Sequence, residues 1–148
     1  MRRNGPIIWI ALLVLAVGLT AVLAGCGTSG TGTTGTTTAG GIKIALLLPE
    51  TKTARYETQD RPLFEAKVKE LAPDATILYS NANQDATEQQ SQADAALTNG
   101  AQVLVLDPVD SASAASIVAK AKAKNVPVIS YDRLILNSAV DYYVSFDN

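Results

Sequence analysis

Two apolar patterns divide this chain. Residues 6–24 form an apolar run without a charged side chain, and Arg2 and Arg3 stand before it. From residue 42 onward, short apolar runs alternate with longer segments whose apolar positions recur at every third or fourth residue. The first pattern is typical of an export signal, and the second indicates a domain in which strands alternate with helices.

The short apolar runs of the second part predict strands, and the periodic segments between them predict helices. Strands are expected at residues 42–48, 75–79, 103–106, 126–131 and 142–146. Helices are expected at residues 62–71, 87–99 and 111–124. Because a buried parallel strand has apolar side chains on both faces, this alternation predicts an α/β fold, a parallel sheet with helices on both faces.

The apolar spacing and the ends of the segments support these helices. Phe64 and Leu71 are seven residues apart and belong to one apolar stripe of the first helix. Thr87 and Gln90 have the spacing of a capping box at the start of the second helix. Ser111 is the expected cap of the third helix.

The single cysteine indicates a lipid anchor. Cys26 follows Leu23, Ala24 and Gly25 at the end of the first apolar run. This order resembles the bacterial lipobox, and the resemblance implies cleavage before Cys26 and lipid on its thiol. We therefore expect a lipoprotein signal peptide at residues 1–25 and a protein lipid-anchored at the extracytoplasmic face of the cell membrane. The alternative is an ordinary signal peptide, or a single membrane anchor with a buried free cysteine.

A linker is expected between the lipidated cysteine and the folded part. Residues 26–41 are almost wholly glycine and threonine after the cysteine, and such a stretch cannot bury enough apolar area to fold. Residues 30–35 match G-x-G-x-x-G, a motif that cradles a pyrophosphate only between a strand and a following helix. Here a strand follows the motif, so we interpret the match as chance.

Composition excludes several classes of site. Removal of residues 1–25 takes away Arg2 and Arg3 and changes the net charge from −2 to −4, which argues against a nucleic-acid partner. The chain has no histidine, and its one thiol is expected to carry lipid. Zinc, haem, Cys–His and Ser–His–Asp sites therefore lack their usual residues, and no cofactor or metal is expected.

Polar side chains follow each predicted strand, where ligands bind in open α/β sheets. These segments are residues 50–56, 81–85 and 107–110, together with the adjacent Asp132 and Arg133. Carboxylate, guanidinium and amide groups hydrogen-bond hydroxyls in pairs, and Tyr56 offers a face for stacking. The set therefore suits a neutral polyhydroxylated ligand. Asp85 and Asp110 also fit caps of the helices that follow them, and we favour that role for both.

Several motifs resemble the type I periplasmic sugar-binding proteins, and the xylose-binding branch most closely. They are Val-Ile-Ser-Tyr-Asp-Arg at residues 128–133 and Tyr-Val-Ser-Phe-Asp-Asn at residues 143–148. Residues 55–64 resemble that branch's first loop and helix, and residues 104–108 its third strand and turn. The resemblance covers residues 42–148 and implies the N-terminal lobe of a two-lobed protein. It implies the lipid-anchored substrate-binding component of an ABC sugar importer, which delivers a monosaccharide, a xylose-like pentose being favoured, to permease subunits in the membrane.

The same resemblance implies roles for five residues. Asp132 and Arg133 would hydrogen-bond sugar hydroxyls, and Tyr56 would flank the sugar. Lys52 stands where the xylose branch has a basic contact, and Asp107 stands at a polar contact of the ribose branch. Lys52 replaces the expected arginine, and lysine cannot make a bidentate contact, which puts the pentose preference in doubt. Other roles stay open: an ion pair with Asp132 or another carboxylate for Arg133, exposure for Lys52, and a core position for Tyr56.

The resemblance also leaves the second lobe outside this chain. The chain ends near the first crossover, where Asp147 and Asn148 are expected to shape the connection. Hinged closure needs both lobes, so we expect half a binding site and an exposed apolar patch where the other lobe would pack. The alternative function is an extracytoplasmic sugar sensor that presents its ligand to a signalling receptor. An enzyme is not expected, because the loops show no nucleophile–base pair and no metal cluster.

Overall fold

The computed structural model describes residues 40–147. The expected signal peptide of residues 1–25, Cys26 and nearly all of the linker lie outside the described residues, as does Asn148. Within the described part, no helix has both the length and the apolar character that crossing a bilayer requires.

Five parallel strands form one sheet, as the apolar runs predict. They are β1 (Lys43–Leu48), β2 (Thr76–Asn81), β3 (Val103–Leu106), β4 (Val128–Tyr131) and β5 (Tyr142–Val144), in the spatial order β2-β1-β3-β4-β5. Ile44 of β1 pairs with Ile77 of β2 on one side and with Val103 of β3 on the other. The carboxyl ends of all five strands therefore meet at one edge of the sheet.

Three helices connect the strands, and they lie close to the predicted segments. They are α1 (Arg61–Leu71), α2 (Ala86–Thr98) and α3 (Ala115–Ala123), and a π-helical segment (Tyr56–Asp60) leads directly into α1. The apolar stripe predicted for the first helix is buried only in part: Phe64 of α1 packs against the sheet, while Leu71 remains 73% exposed.

The cap role favoured for Asp85 is confirmed, whereas the Thr87–Gln90 capping box and the Ser111 cap are wrong. Asp85, and not a Thr87–Gln90 capping box, caps α2: its carboxylate accepts hydrogen bonds from the backbone N–H of Thr87, at 2.7 Å, and of Glu88. Its extended backbone lets the side chain reach back, whereas Thr87 already lies inside the helix. Ser111 does not cap α3, which begins four residues later; Asp110 accepts from the N–H of Ser113 instead, at 2.7 Å.

The core lies on both faces of the sheet. Because successive strand residues point to opposite faces, Leu47 contributes to the cluster beneath α2 and α3, and Leu46 to the cluster beneath the π-helical segment and α1. The first cluster also contains Leu104, Leu106, Ile117 and Val118, and the second Leu48, Tyr56 and Val105. Helices on both faces confirm the predicted α/β architecture.

Apolar side chains are exposed at the β5 edge of the sheet and on α1. Tyr142 is 65% exposed, Phe146 59% and Leu63 64%. A cavity of about 340 Å³ lies beside Leu63, between α1 and the strands, with Leu46, Val105 and Tyr131 in its lining. Exposed apolar surface of this kind is typical of a face that packs against further protein.

Replacement of Leu104 by alanine is expected to lower the free energy of unfolding by about 2–5 kcal/mol, because the side chain has no exposed surface and a cavity would remain. Urea unfolding monitored by circular dichroism measures this change. Leu71→Ala is the matched control, with an expected change within about 0.5 kcal/mol because Leu71 is largely exposed. An equal loss in both variants would contradict this assignment of the core.

Candidate functional site

The candidate site lies at the carboxyl ends of β3 and β4. Asp107 follows β3, and Asp132 and Arg133 follow β4. Tyr56, at the start of the π-helical segment, reaches the two residues after β4 from the α1 side of the sheet. The structure thus brings together four of the five residues singled out from the sequence.

Asp132 is the centre of this group. Its carboxylate accepts a hydrogen bond from the Tyr56 hydroxyl at 2.8 Å and forms an ion pair with Arg55 at 2.6 Å. Its backbone has φ +59°, a left-handed conformation that aspartate tolerates better than most residues. The backbone of Asp132 bonds to β5 and to the residue after it: its N–H donates to the carbonyl of Val144, and its carbonyl accepts from the Ser145 hydroxyl. The turn after β4 therefore aims this carboxylate towards the π-helical segment.

Arg133 spans the gap between the ends of β3 and β4. Its guanidinium donates to the carbonyl of Pro108 at 3.1 Å and to the Tyr56 hydroxyl at 3.4 Å. Its Nε lies 3.8 Å from Oδ1 of Asp107. The ion-pair role considered for Arg133 is thus present, with Asp107 as partner, while 41% of its side chain stays exposed for further contacts.

Asp107 is a buried carboxylate at the end of β3. It has no exposed surface, and neither of its carboxylate oxygens has a hydrogen-bond partner within residues 40–147. Buried Gln89 of α2 fixes the loop: it donates to the carbonyl of Asp107 and accepts from the N–H of Val109. Burial raises the pKa of Asp107 to about 7, although the Tyr56 hydroxyl and the Arg133 guanidinium oppose the shift.

Tyr56 is both a core residue and a member of the site. The residue is only 2% exposed, and its ring packs in the cluster beneath α1. Burial and the hydrogen bond to Asp132 raise the pKa of its hydroxyl, which therefore stays protonated and can donate. Its ring has little exposed face for stacking on a ligand.

Lys52 does not join the other four residues. Within residues 40–147 its ammonium donates to the side-chain oxygen of Gln84 at 3.2 Å. Gln84 in turn donates to Glu50, which also accepts from the Thr53 hydroxyl. That hydroxyl is the main reason why the pKa of Glu50 is lowered. The side chains after β1 and β2 thus form a separate polar cluster, and Lys52 itself is exposed.

Arg55 is the residue that the sequence reasoning missed. Its guanidinium pairs with Asp132 and lies 3.3 Å from Asp60, and its central carbon sits 5.1 Å from the ring centroid of Tyr56 and 5.7 Å from that of Phe146. The sequence held one signal for a role of Arg55 at the site: it directly precedes Tyr56 in the motif of residues 55–64. A bidentate basic group thus stands at this site, contributed by Arg55 and not by Lys52.

The π-helical segment makes the position of Arg55 possible. Arg55 and Asp60 are five residues apart, which places them on different sides of an α-helix with 3.6 residues per turn. In a π-helix the hydrogen bonds join residues five apart, as the N–H of Arg61 does with the carbonyl of Tyr56. The wider turn brings Arg55 and Asp60 together. Such single turns are frequent at functional sites.

A second polar group fastens the π-helical segment to β2. Glu57 accepts hydrogen bonds from the hydroxyl of Tyr79 and from the amide of Asn81 at 3.1 Å. Arg61 pairs with Glu57 and stacks on the Tyr79 ring, with its central carbon 3.7 Å from the ring centroid. The segment that carries Tyr56 is therefore held to β2 through Glu57 and to the end of β4 through Tyr56.

The chemistry of the site is that of hydrogen-bonding recognition. Two guanidinium groups and two carboxylates alternate around one buried phenol, and Arg55 and Arg133 each keep about two fifths of the side chain exposed. Such fixed donors and acceptors match vicinal hydroxyl groups, each of which can donate one hydrogen bond and accept others. Among residues 40–147 no cluster of three metal-binding side chains occurs.

Comparison with known proteins identifies the family. Residues 44–148 match the family described as periplasmic binding protein domain. The chain belongs to this family. It is 31% identical over 107 residues to the D-xylose-binding periplasmic protein of Escherichia coli, covering 72% of this chain and 32% of that protein. It is 33% identical over 107 residues to the corresponding protein of Haemophilus influenzae, covering 72% and 31%.

Solved structures show the same fold. An ABC transporter solute binding protein from Clostridium phytofermentans with bound β-D-glucose matches with a TM-score of 0.66 and 33% identity, covering 71% of this chain and 32% of that one. A carbohydrate transporter solute binding protein from Chloroflexus aurantiacus in complex with D-glucose matches at 0.64 and 30%, covering 70% and 30%. The chain spans about a third of the length of these relatives, and its described part has the fold of part of one lobe of the type I periplasmic binding proteins.

Proposed function

We propose that this lobe provides half of a monosaccharide-binding site, in the substrate-binding component of an ABC sugar importer. The observation that carries the proposal is the group of Arg55, Asp132 and Arg133 around the Tyr56 hydroxyl. Its exposed guanidinium groups would contact sugar hydroxyls, and Asp132 would orient Arg55. The names of the relatives, which include D-xylose-binding and multiple sugar-binding periplasmic proteins, support the same class of ligand.

The favoured ligand is a xylose-like pentose. The two D-xylose-binding relatives match the chain over 107 residues, and Arg55 supplies the bidentate basic group whose absence at Lys52 put this preference in doubt. The structural relatives with glucose make D-glucose the competitor to test. A site built from fixed hydrogen-bond donors and acceptors binds a sugar more weakly when that sugar lacks a hydroxyl group for one of them, because that protein group is then left unpaired.

Lipid on Cys26 is part of the proposal. It would hold the protein at the extracytoplasmic face of the membrane, beside the permease subunits. The support is the order Leu23, Ala24, Gly25, Cys26 after an uncharged apolar run. Labelling of growing cells with a palmitate analogue tests it: the wild-type protein should carry the label, and Cys26→Ser should not. A labelled Cys26→Ser protein would contradict this part.

A sugar titration tests the two-lobed site. Sugar-binding pockets bury most of the ligand surface, and a single lobe supplies about half of those contacts. If the intact protein extracted from membranes binds D-xylose with a Kd of about 1 µM, half of that binding free energy corresponds to about 1 mM for residues 42–148 alone. Isothermal titration calorimetry on both forms measures the difference, and the mass of the intact protein shows how much chain lies beyond this lobe. Micromolar binding by residues 42–148 alone would contradict the division of the site.

A further inference from the structure

Asp107 is a carboxylate of the site for which the described residues provide no hydrogen bond to either oxygen. Its carboxylate is completely buried, both oxygens lack a hydrogen-bond partner within the described residues, and the nearest cationic group is Nε of Arg133 at 3.8 Å. A completely buried side chain does not touch a ligand directly. Its effect on binding must therefore pass through its neighbours.

The charged and titratable groups around Asp107 and its partner Arg133 come from several elements. The π-helical side contributes the Tyr56 hydroxyl and the Arg55 guanidinium, and the end of β4 contributes Arg133 and the carboxylate of Asp132. Glu50, after β1, also interacts with Arg133 through its charge. Helix α2 contributes the uncharged Gln89, which donates to the carbonyl of Asp107. The chain has no histidine, so none of its side chains has an ordinary pKa near 7.

We propose that Asp107 is a positioning residue whose ionised carboxylate holds Arg133 in place, so that ligand binding by this lobe strengthens as the pH rises through neutrality. The proposal rests on the sugar-binding function proposed above. Ionised Asp107 attracts the guanidinium inward, where Arg133 also reaches Pro108 and Tyr56. Neutral Asp107 loses that attraction, and the half-exposed guanidinium then loses one of its three fixed contacts.

The burial of Asp107 brings its titration close to neutral pH. Burial raises the pKa of Asp107 to about 7, from an ordinary value of 3.8. Small changes of pH around neutrality therefore change the fraction of protein in which Arg133 faces an anion.

Sugar affinity as a function of pH tests the proposal on the intact protein. Calorimetric titrations with D-xylose and with D-glucose at pH 5.5, 6.5, 7.5 and 8.5 compare the wild type with Asp107→Asn and Asp110→Asn. Asp110 is a matched control, because it lies in the same loop but is exposed and caps the following turn. We expect the affinity of the wild type and of Asp110→Asn to rise about tenfold from pH 5.5 to 8.5. Asp107→Asn is expected to stay at the low-pH affinity throughout.

A flat wild-type profile, or a rise that persists in Asp107→Asn, would overturn the inference while leaving the sugar-binding function intact. Absence of binding to either sugar at every pH would instead overturn the proposed function. A ligand-free measurement then decides the inference: the ¹⁵N resonance of Arg133 Nε, assigned by its loss in Arg133→Lys, is expected to titrate with a midpoint near pH 7. The same wild-type titration carries the test if Asp107→Asn does not fold. No titration of that resonance between pH 5.5 and 8.5 would refute the positioning role.

Discussion

Replacement of Asp132 by asparagine is expected to weaken sugar binding by the intact protein about a hundredfold. Asparagine keeps the size of the side chain and tolerates the left-handed backbone at φ +59°, so the turn after β4 should persist. It removes the charge that holds Arg55 at 2.6 Å and weakens the acceptor of the Tyr56 hydroxyl bond. Loss of one member of a buried charge pair costs about 2–5 kcal/mol in binding. Asp132 is 11% exposed but Arg55 is 40% exposed, so we expect a cost near the lower end, and a hundredfold change is about 2.7 kcal/mol.

Calorimetric titration with D-xylose measures this effect, and Asp94→Asn is the matched control. Asp94 also pairs with a cation, Lys120, at 2.7 Å, but the pair is exposed on α2 and α3, remote from the candidate site. Its replacement is expected to leave affinity unchanged. Equal affinities of the wild type and Asp132→Asn, with both proteins folded, would show that Asp132 neither contacts the sugar nor orients a group that does.

Replacement of Asp107 by asparagine is expected to stabilise this lobe at alkaline pH by about 4 kcal/mol, with no comparable gain in acid. The pKa of Asp107 rises from an ordinary 3.8 to about 7 on folding. The folded state therefore binds this proton more tightly than the unfolded state, and wild-type stability falls as the pH increases from about 4 to about 7. Asparagine carries no charge at any pH and removes this cost. At 1.36 kcal/mol per pKa unit, the gain is about 4 kcal/mol at pH 8 and about 1 kcal/mol at pH 4.5.

Urea unfolding at pH 4.5 and at pH 8 measures both differences. Asp94→Asn again serves as control, and an exposed pair of this kind should change stability by about 1 kcal/mol or less. If Asp107→Asn destabilised the lobe at pH 8, the ion pair of Asp107 with Arg133 would stabilise the lobe by more than the burial of the carboxylate costs. That result would also remove the physical basis of the pH-dependent affinity proposed above.

The two predictions together describe a site that gives up stability for recognition. Asp107 has no exposed surface, and its carboxylate has no hydrogen-bond partner among the described residues, an arrangement that a structural role alone would not favour. Asp132 adopts a left-handed backbone, which also costs conformational free energy. Both residues lie at strand ends that face the candidate ligand. Departures from the most stable arrangement are expected at functional positions.

Much of the fold could be predicted because the signals are local. The apolar runs and the periodic segments between them predicted five strands and three helices in the right order, and the polar strand ends predicted the edge at which the site lies. Asp132 and Arg133 were singled out because they adjoin the end of β4. The caps were predicted in part: the cap role favoured for Asp85 is confirmed, but the Thr87–Gln90 box is wrong, because the choice between neighbouring polar residues depends on the backbone of the first turn.

The basic group at the site could not be predicted, because it depends on helical phase. Lys52 and Arg55 are three residues apart, and the sequence does not indicate where the chain leaves the loop or that it enters a π-helical turn. That turn directs Arg55 to Asp132 and Asp60, while Lys52 bonds to Gln84. One extra residue in one turn decided which cation belongs to the site.

The sequence by itself determined the α/β class, the order of the elements and the edge of the sheet that carries the polar groups. These follow from periodicities of 2 and 3.6 residues, which neighbouring positions specify. Only the tertiary structure decided that Asp132 pairs with Arg55, that Tyr56 links Asp132 to Arg133, and that Asp107 is buried with a raised pKa. Those contacts join β3, β4 and a π-helical segment up to 77 residues apart in the chain, so packing and not local pattern sets them.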